Sequence, residues 1–381
     1  MRMRSWRFRI YPSKSQEKQL IGHLSKCKDL WNSLLEYAKS CCQQTGKFPT
    51  RWQLIIKAKE AGLFSQVAQN VADRLAKCMK GMVLKRKAGI KAGLPRFKAR
   101  ERMKSFTYPQ FGFRLRKRLA LSGIGEISIK KHREIEGKIK TLTIKRMPSG
   151  KWFAIFTSEM EEICVPKRDG EAIGMDLGIE HFAYMSNGET IENPRHLGNA
   201  EEKLKKVQRW LSRKKKGSKN RKKARPRVAI THEKLSNKRR DFLHKSSRQL
   251  VSRYSFIAME DLNTNKMARG FIAKSILDCG WAEFSGMLRY KAEEAGCEVV
   301  LVNPANTTSE CSSCGSIRKK SLAERWHKCT CGASMHRDLN AAMNILRRAT
   351  VGHTGSNAPR EGTSAHQKWA SVFHEGGSPG L

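Results

Sequence analysis

The sequence predicts a multidomain α+β protein. A β-barrel-like domain is interrupted by a helical block, and an α/β domain after it is interrupted by a cysteine cluster. Three observations predict this. Period-two apolar alternation stands on both sides of a block with helical spacing. Further on, apolar strands that end on an acidic residue alternate with helical stretches, and four cysteines fall in two close pairs. The length, 381 residues, exceeds the ~250 to 300 residues that a single core sustains, so more than one packed unit is expected.

Residues 3 to 11 alternate Trp6, Phe8 and Ile10 with Arg7 and Arg9, the pattern of a half-buried strand that Tyr11-Pro12-Ser13 ends. Ser13 and Gln16 form a capping-box pair, after which Leu20, Leu24, Cys27, Trp31, Leu34 and Ala38 recur at helical spacing. Val67, Val71, Leu75, Cys78 and Met82 mark a second helix, so a small helical unit is expected over about 15 to 95. Between about 104 and 162 strands return, with Phe111, Phe113 and Leu115, then Ile127 and Ile129, then Leu142 and Ile144. Pro148-Ser149-Gly150 turns the chain into Trp152, Ala154 and Phe156. Strands flanking a helical block imply one barrel-like sheet, completed by the N-terminal strand, with the helices as an insertion.

Ile173-Gly-Met-Asp-Leu-Gly-Ile179 reads as a buried strand that carries Asp176 out of the core. A second strand spans His181 to Ser186, and Asn187-Gly188 is a hairpin turn into a third. After a basic helical stretch, Ser255-Phe-Ile-Ala-Met-Glu-Asp-Leu262 ends an apolar strand on Glu260. A helix near 282 to 295 and a strand from Glu298 to Val302 follow, and Met335-His-Arg-Asp-Leu-Asn-Ala-Ala342 opens a helix on Asp338. That order of hairpin, helix, strand, helix and strand matches a ribonuclease-H-like α/β fold. From about 348 the chain is rich in Gly, Ser, Thr and His without periodicity, and a disordered tail is expected.

Lys and Arg number 76 against 34 acidic residues, a net charge of +42. Self-repulsion of that size calls for a polyanion, and nucleic acid is the usual one. A membrane partner is not expected, because no apolar run approaches 18 residues and no signal peptide stands at the start. Eleven cysteines, an odd count, without a signal argue for a reducing compartment. The seven outside the cluster, Cys41 and Cys42 among them, read as buried apolar residues or inert thiols.

Three features carry chemistry. Asp176, Glu260 and Asp338, each closing an apolar element, can meet in one cleft and hold Mg²⁺, a hard ion that prefers oxygen ligands. Two such ions ~3.5 to 4 Å apart would neutralise a phosphodiester and activate water. Asp261 beside Glu260 is the rival at that position, and strand alternation points the two to opposite sides. Second, Cys311-Ser-Ser-Cys314-Gly and Cys329-Thr-Cys331-Gly, 14 residues apart, match a zinc ribbon holding one structural Zn²⁺. The second pair is C-x-C where C-x-x-C is usual, so His327 or His336 stands as an alternative ligand. Third, Lys203 to Arg227 holds 14 Lys or Arg in 25 residues and no acid, with Trp210 and Leu211 as anchors. Lys214, Lys215, Lys216, Lys219, Arg221, Lys222 and Lys223 then form a candidate clamp for a nucleic-acid backbone. Trp6 and Tyr108 lie beside basic residues but read as core aromatics rather than base-stacking ones.

Gly174-Met-Asp-Leu-Gly178, Met259-Glu-Asp-Leu262, Thr308-Ser-Glu-Cys-Ser-Ser-Cys-Gly315 and Arg337-Asp-Leu-Asn-Ala-Ala-Met-Asn-Ile345 together resemble the TnpB family, transposon-encoded relatives of type V CRISPR effectors. The basic segment Trp210 to Ala224 and the opening Phe8-Arg-Ile-Tyr-Pro12 are also similar. The resemblance is strongest from about 170 to 348. It implies an RNA-guided DNA endonuclease in which Asp176, Glu260 and Asp338 are the RuvC carboxylates, and it favours Glu260 over Asp261. The family often has Asp where this chain has His336. The implied domains are a wedge-domain first strand (1–12), a helical recognition domain (13–100), the wedge β-barrel (101–168) and a RuvC-like nuclease domain (169–306). A zinc-ribbon insertion (307–334), the nuclease closing helix (335–348) and the tail (349–381) follow. The implied partners are a guide RNA derived from the transposon end and double-stranded target DNA beside a short protein-read motif. A monomer with its RNA is expected in a prokaryotic cytoplasm, on the nucleoid when DNA-bound. The alternatives are a compact type V CRISPR effector, a DNA-joining transposase, or a non-cutting regulator with a zinc ribbon.

Overall fold

The structure, a computed structural model, describes residues 2–99, 102–161, 165–321 and 324–354. The chain divides into two compact units, Met1–Cys164 with Lys203–Glu233, and Val165–Glu202 with Lys234–Leu381.

The first unit begins with β1 (Arg2–Tyr11), followed by the helices α1 (Lys14–Thr45), α2 (Arg51–Ala58) and α3 (Ser65–Lys87). Six strands come next: β2 (Ser105–Tyr108), β3 (Phe113–Leu115), β4 (Leu119–Leu121), β5 (Gly125–Lys130), β6 (Lys138–Arg146) and β7 (Trp152–Met160). They form with β1 one antiparallel sheet in the order β2-β6-β7-β1-β5-β4-β3; the N-terminal strand joins it, as expected, and lies at its centre. Trp6, Phe8 and Ile10 stand opposite Phe156, Ala154 and Trp152, and their shared face is buried. The buried indole of Trp6 donates to Ser158 Oγ at 2.8 Å, which satisfies its one polar group. The two edge strands approach each other: the Tyr108 and Phe113 rings are 6.3 Å apart, and Tyr108 Oη donates to the Ser122 carbonyl at 3.1 Å. The sheet is therefore curled nearly into a barrel.

The capping box forms at the start of α1, with Ser13 Oγ accepting from Gln16 N at 3.2 Å and Gln16 Oε1 accepting from Ser13 N at 3.0 Å. The α1 stripe named from the sequence is buried throughout. On α3 one expectation fails, because Cys78 is exposed while Met79 is buried. The buried line runs Val71, Leu75, Met79, Met82, and residue 78 lies about 60° off it at ~100° per residue. Phe111 is likewise exposed, in the turn before β3.

The second unit opens with β8 (Ala172–Leu177), β9 (His181–Met185) and β10 (Thr190–Glu192). Two long helices follow, α4 (His196–Ser212) and α5 (Lys219–Arg253), then β11 (Phe256–Glu260), α6 (Thr264–Met267), α7 (Ala273–Cys279), α8 (Trp281–Ala295) and β12 (Glu298–Val302). The hairpin β13 (Trp326–Lys328) and β14 (Ser334–His336) leads into α9 (Arg337–Thr354). The five-stranded sheet has the order β10-β9-β8-β11-β12; β8, β11 and β12 are parallel neighbours, and β9 runs antiparallel to both β8 and β10.

Alternation assigns the two faces. Ile173, Met175, Ile257 and Met259 join a core with Phe284 and Leu288 of α8. Ala258 and Val302 cluster instead with Ile345 and Ala349 of α9. Gly174 is what lets α9 approach: a Cβ there would lie 2.1 Å from the Ala342 carbonyl oxygen, inside any allowed contact.

Two expected boundaries shift. Residues 203–233, expected within the nuclease domain, belong to the first compact unit. The helix start near residue 219 is anchored there: Lys151 donates to Glu233 at 2.7 Å, and Ala224 is fully buried. The closing helix continues to Thr354, beyond the expected end at 348, because Ala349 still packs in the α9 core. The remainder of the expected tail, 355–381, lies outside the described residues. Among the described residues no helix is long and apolar enough to cross a membrane.

Candidate active site

Asp176 and Glu260 stand at the carboxyl-terminal ends of parallel neighbours, since Met175 pairs with Met259 in the β8–β11 ladder. By period two both side chains turn to the face that α9 covers, and Asp338 sits in the first turn of α9. Three elements therefore bring the three acids together. Asp261, the sequence rival of Glu260, is exposed, whereas Glu260 is buried.

The electrostatics tie Asp176 to the other two acids. Burial pushes the Asp176 carboxyl well above its usual range, and the carboxylates of Glu260 and Asp338 push it further, with Arg337 opposing. Burial also raises Glu260, against a hydrogen bond from Thr307 and the charge of Arg348. Asp338 accepts from Arg337 Nε at 3.1 Å. A desolvated Asp176 facing two further carboxylates is an unfinished charge arrangement, and a hard divalent cation is the group these oxygens fit. Among the described residues only the four cysteines crowd three or more His, Cys, Asp or Glu ligand atoms within 4.8 Å of one another. The three acids are not crowded to that degree.

Sequence reasoning missed the support behind Glu260. Thr307, 2% exposed, donates through Oγ1 to Glu260 Oε1 at 2.5 Å. Its carbonyl accepts from Asn344 Nδ2 at 3.0 Å, and both Asn340 and Asn344 donate to the Glu310 carbonyl at 2.7 Å. Asn340 Oδ1 in turn accepts from Ser312 N at 2.9 Å, and Arg347 and Arg348 pair with the Glu310 carboxylate. The segment that bears the first two cysteines is thus tied to α9 and to Glu260. The only signal was the pair of asparagines one helical turn apart in the Asp338 motif.

The cysteines meet as a compact group. Cys311 Sγ lies 3.8 Å from Cys331 Sγ, and Cys314 Sγ 3.5 Å from Cys329 Sγ. These are too long for disulfides and close to the ~3.8 Å edge of a tetrahedron with Zn–S bonds of ~2.3 Å. Gly315 and Gly332, at φ 77° and 92°, allow the turns after each pair, so the short C-x-C spacing still delivers its sulfurs. The Cys331 amide, Ser316 and Cys314 lower the Cys329 thiol, while the neighbouring sulfurs raise Cys331, as expected of thiols crowded at one point. Neither histidine joins the group. His327 is buried and bonded to Lys320, and His336 stacks on Tyr184.

In the basic run Lys215, Lys216, Lys219, Lys222 and Lys223 are exposed, whereas Lys214 and Arg221 are half-buried. Arg221 is committed to the turn itself, donating to the Leu211 and Lys214 carbonyls at 2.9 and 3.0 Å. The Trp210 ring receives Lys214 and Arg227 at 5.2 and 4.7 Å.

Residues 156–270 match a family described as "Probable transposase", and residues 281–345 match "Cas12f1-like, TNB domain". A Streptomyces pristinaespiralis protein named "Putative RNA-guided DNA endonuclease" is 33% identical over 90% of this chain and 88% of its own. The Escherichia coli K12 protein "Putative RNA-guided DNA endonuclease InsQ" is 28% identical over 91% of this chain and 92% of its own. Among solved structures, a Cas12f1–sgRNA–target DNA complex aligns with a TM-score of 0.58 at 14% identity, over 91% of this chain and 98% of that one, a likeness of fold.

Proposed function

The chain belongs to the TnpB family of RNA-guided DNA endonucleases, and from that we propose that it cuts double-stranded DNA with Asp176, Glu260 and Asp338 as the carboxylates of a RuvC-like, ribonuclease-H-type site. The observation that carries this reading is the turning of all three acids to one face, where each raises the cost of ionising Asp176. Two divalent cations held there, Mg²⁺ by its preference for oxygen, would supply charge neutralisation and an activated water for in-line phosphodiester hydrolysis.

The protein's own groups prepare that step. Asp176, raised by burial and by the carboxylates of Glu260 and Asp338, and Glu260, raised by burial, ionise fully when positive charge enters between them. Thr307 fixes one oxygen of Glu260 by hydrogen bonding. Arg337 steadies Asp338 at the head of α9, where the helix N-terminus favours negative charge. The four-cysteine group would hold one structural Zn²⁺ and keep the ribbon that carries Thr307 in shape.

The barrel-like sheet and its inserted helices would serve as the wedge and recognition domains. A guide RNA encoded at the transposon end would select the target by base pairing, beside a short motif read by protein. The exposed lysines at 215, 216, 219, 222 and 223 would contact nucleic-acid phosphates, so binding should weaken as salt rises.

The test is cleavage of a plasmid carrying target and flanking motif by the RNA-bound protein in Mg²⁺. Linear product is expected from the parent, and Asp176→Ala should cut about a thousandfold more slowly, equivalent to roughly 4 kcal/mol of barrier, while keeping RNA-guided binding. Undiminished cutting by that variant would remove Asp176 from the site.

A further inference from the structure

Beside the acids stands a wall of rings that the hydrolysis above leaves unused. Tyr184 on β9 is the direct partner of Asp176 in the β8–β9 ladder. His336 stacks on it, with centroids 4.9 Å apart and planes at 11°. His336 Nδ1 lies 4.0 Å from Asp338 Oδ2, so the stacked pair bridges two of the three carboxylates. Opposite His336 in the β13–β14 hairpin is Trp326, whose ring is 6.3 Å from the imidazole at 74°.

Trp326 is 59% exposed, while His327 beside it is fully buried. The hairpin therefore already has its inward-facing residue, and the indole is left exposed beside His336 instead of filling a core. The surroundings are basic: Arg325 and Lys328 flank it, both exposed, and Arg325 reaches Glu180 at 3.2 Å, close to the strand that bears Asp176.

We propose that Trp326, backed by His336 and Tyr184, is a stacking site for one unpaired base of the DNA strand being cut. The proposal rests on the nuclease reading of the acids and says where their substrate is gripped. An exposed indole offers a flat apolar face that any base can cover, and basic neighbours attract the phosphates on either side. A base inside a duplex has both faces occupied, so the site takes a single strand and discriminates against paired DNA. Stacking one base fixes the register of the strand, which places a phosphate nearby at the acids and leaves the sequence unread.

The experiment uses the guide-RNA complex and a target whose cut strand is held single-stranded. Trp326→Ala should raise KM about tenfold with little change in kcat, and Trp326→Phe should retain most of the affinity. An abasic residue moved along the strand should cost the parent the same factor at one position, and cost Trp326→Ala nothing further there. As a readout without catalysis, 2-aminopurine at that position should be quenched on binding to Asp176→Ala and stay bright on Asp176→Ala/Trp326→Ala. Equal KM values for parent and Trp326→Ala, or the same abasic penalty in both, would overturn the stacking site. A parent complex that binds but never cuts would instead sink the nuclease reading, and the 2-aminopurine signal would still decide the stacking site.

Discussion

The second unit holds two groups of ion-ligand side chains, and they are built in opposite ways. The cysteines fall within residues 311–331, and two tight turns bring their sulfurs nearly into contact. The acids come from two strands and a helix at 176, 260 and 338, are less tightly grouped than the cysteines, and Glu260 and Asp338 oppose the ionisation of Asp176. A group assembled locally from soft ligands closes on its ion and contributes to folding. A group assembled from distant hard ligands strains the fold until charge arrives, and that is the condition for exchanging ions and substrate.

Breaking the closed group should have the largest effect on the protein as a whole. Cys329→Ser should lose most of its zinc by metal analysis and lower Tm by several degrees, with DNA cleavage falling about a hundredfold as Thr307 loosens. Full zinc content with an unchanged Tm would show that the four sulfurs do not share an ion.

Thr307→Val sharpens the comparison, because it touches the link between the two groups. Cleavage should fall about tenfold, with Thr307→Ser near the parent. The lost hydrogen bond was holding the raised Glu260 carboxyl down, so the acidic limb of the rate profile should move to higher pH in the valine variant. A rate loss with an unmoved profile would assign Thr307 to packing alone.

The smallest effect is expected in Mg²⁺-free buffer. Asp176 has a folded-state pKa above its unfolded value near ~3.9, so the stability it confers when protonated is lost as pH rises through the folded value. At neutral pH Asp176→Asn should therefore melt a few degrees higher than the parent, with the gain vanishing as pH falls toward ~4. Saturating Mg²⁺ should reverse the order, and a variant that melts lower in both buffers would contradict the repulsion described here.

How much of this was legible in the sequence follows the range of the interactions. Each acid stood at the end of an apolar element; alternation put Glu260 and Asp261 on opposite sides, and the family resemblance chose Glu260. The capping box at Ser13 and the turn at Pro148 are local and formed as read. Cys78 was misplaced because helical spacing tolerates two neighbouring stripes, and only packing chose Met79. The basic run gave no sign of which unit would hold it, since its anchors, Lys151 and the buried Ala224, depend on tertiary contacts. Thr307 was invisible as one hydroxyl in a loop, and the stack of Tyr184, His336 and Trp326 depends on hairpin registers that composition does not encode.

The bare hydrogen at Gly174 has a consequence of its own. The strand bearing Asp176 and the helix bearing Asp338 touch there through main chain and the Cβ of Leu346, atoms that no choice of rotamer moves. Descendants of this chain could exchange nearly every surrounding side chain and keep that gauge intact. One added methyl at this position would wedge the two apart, and every ion seated between them would feel it.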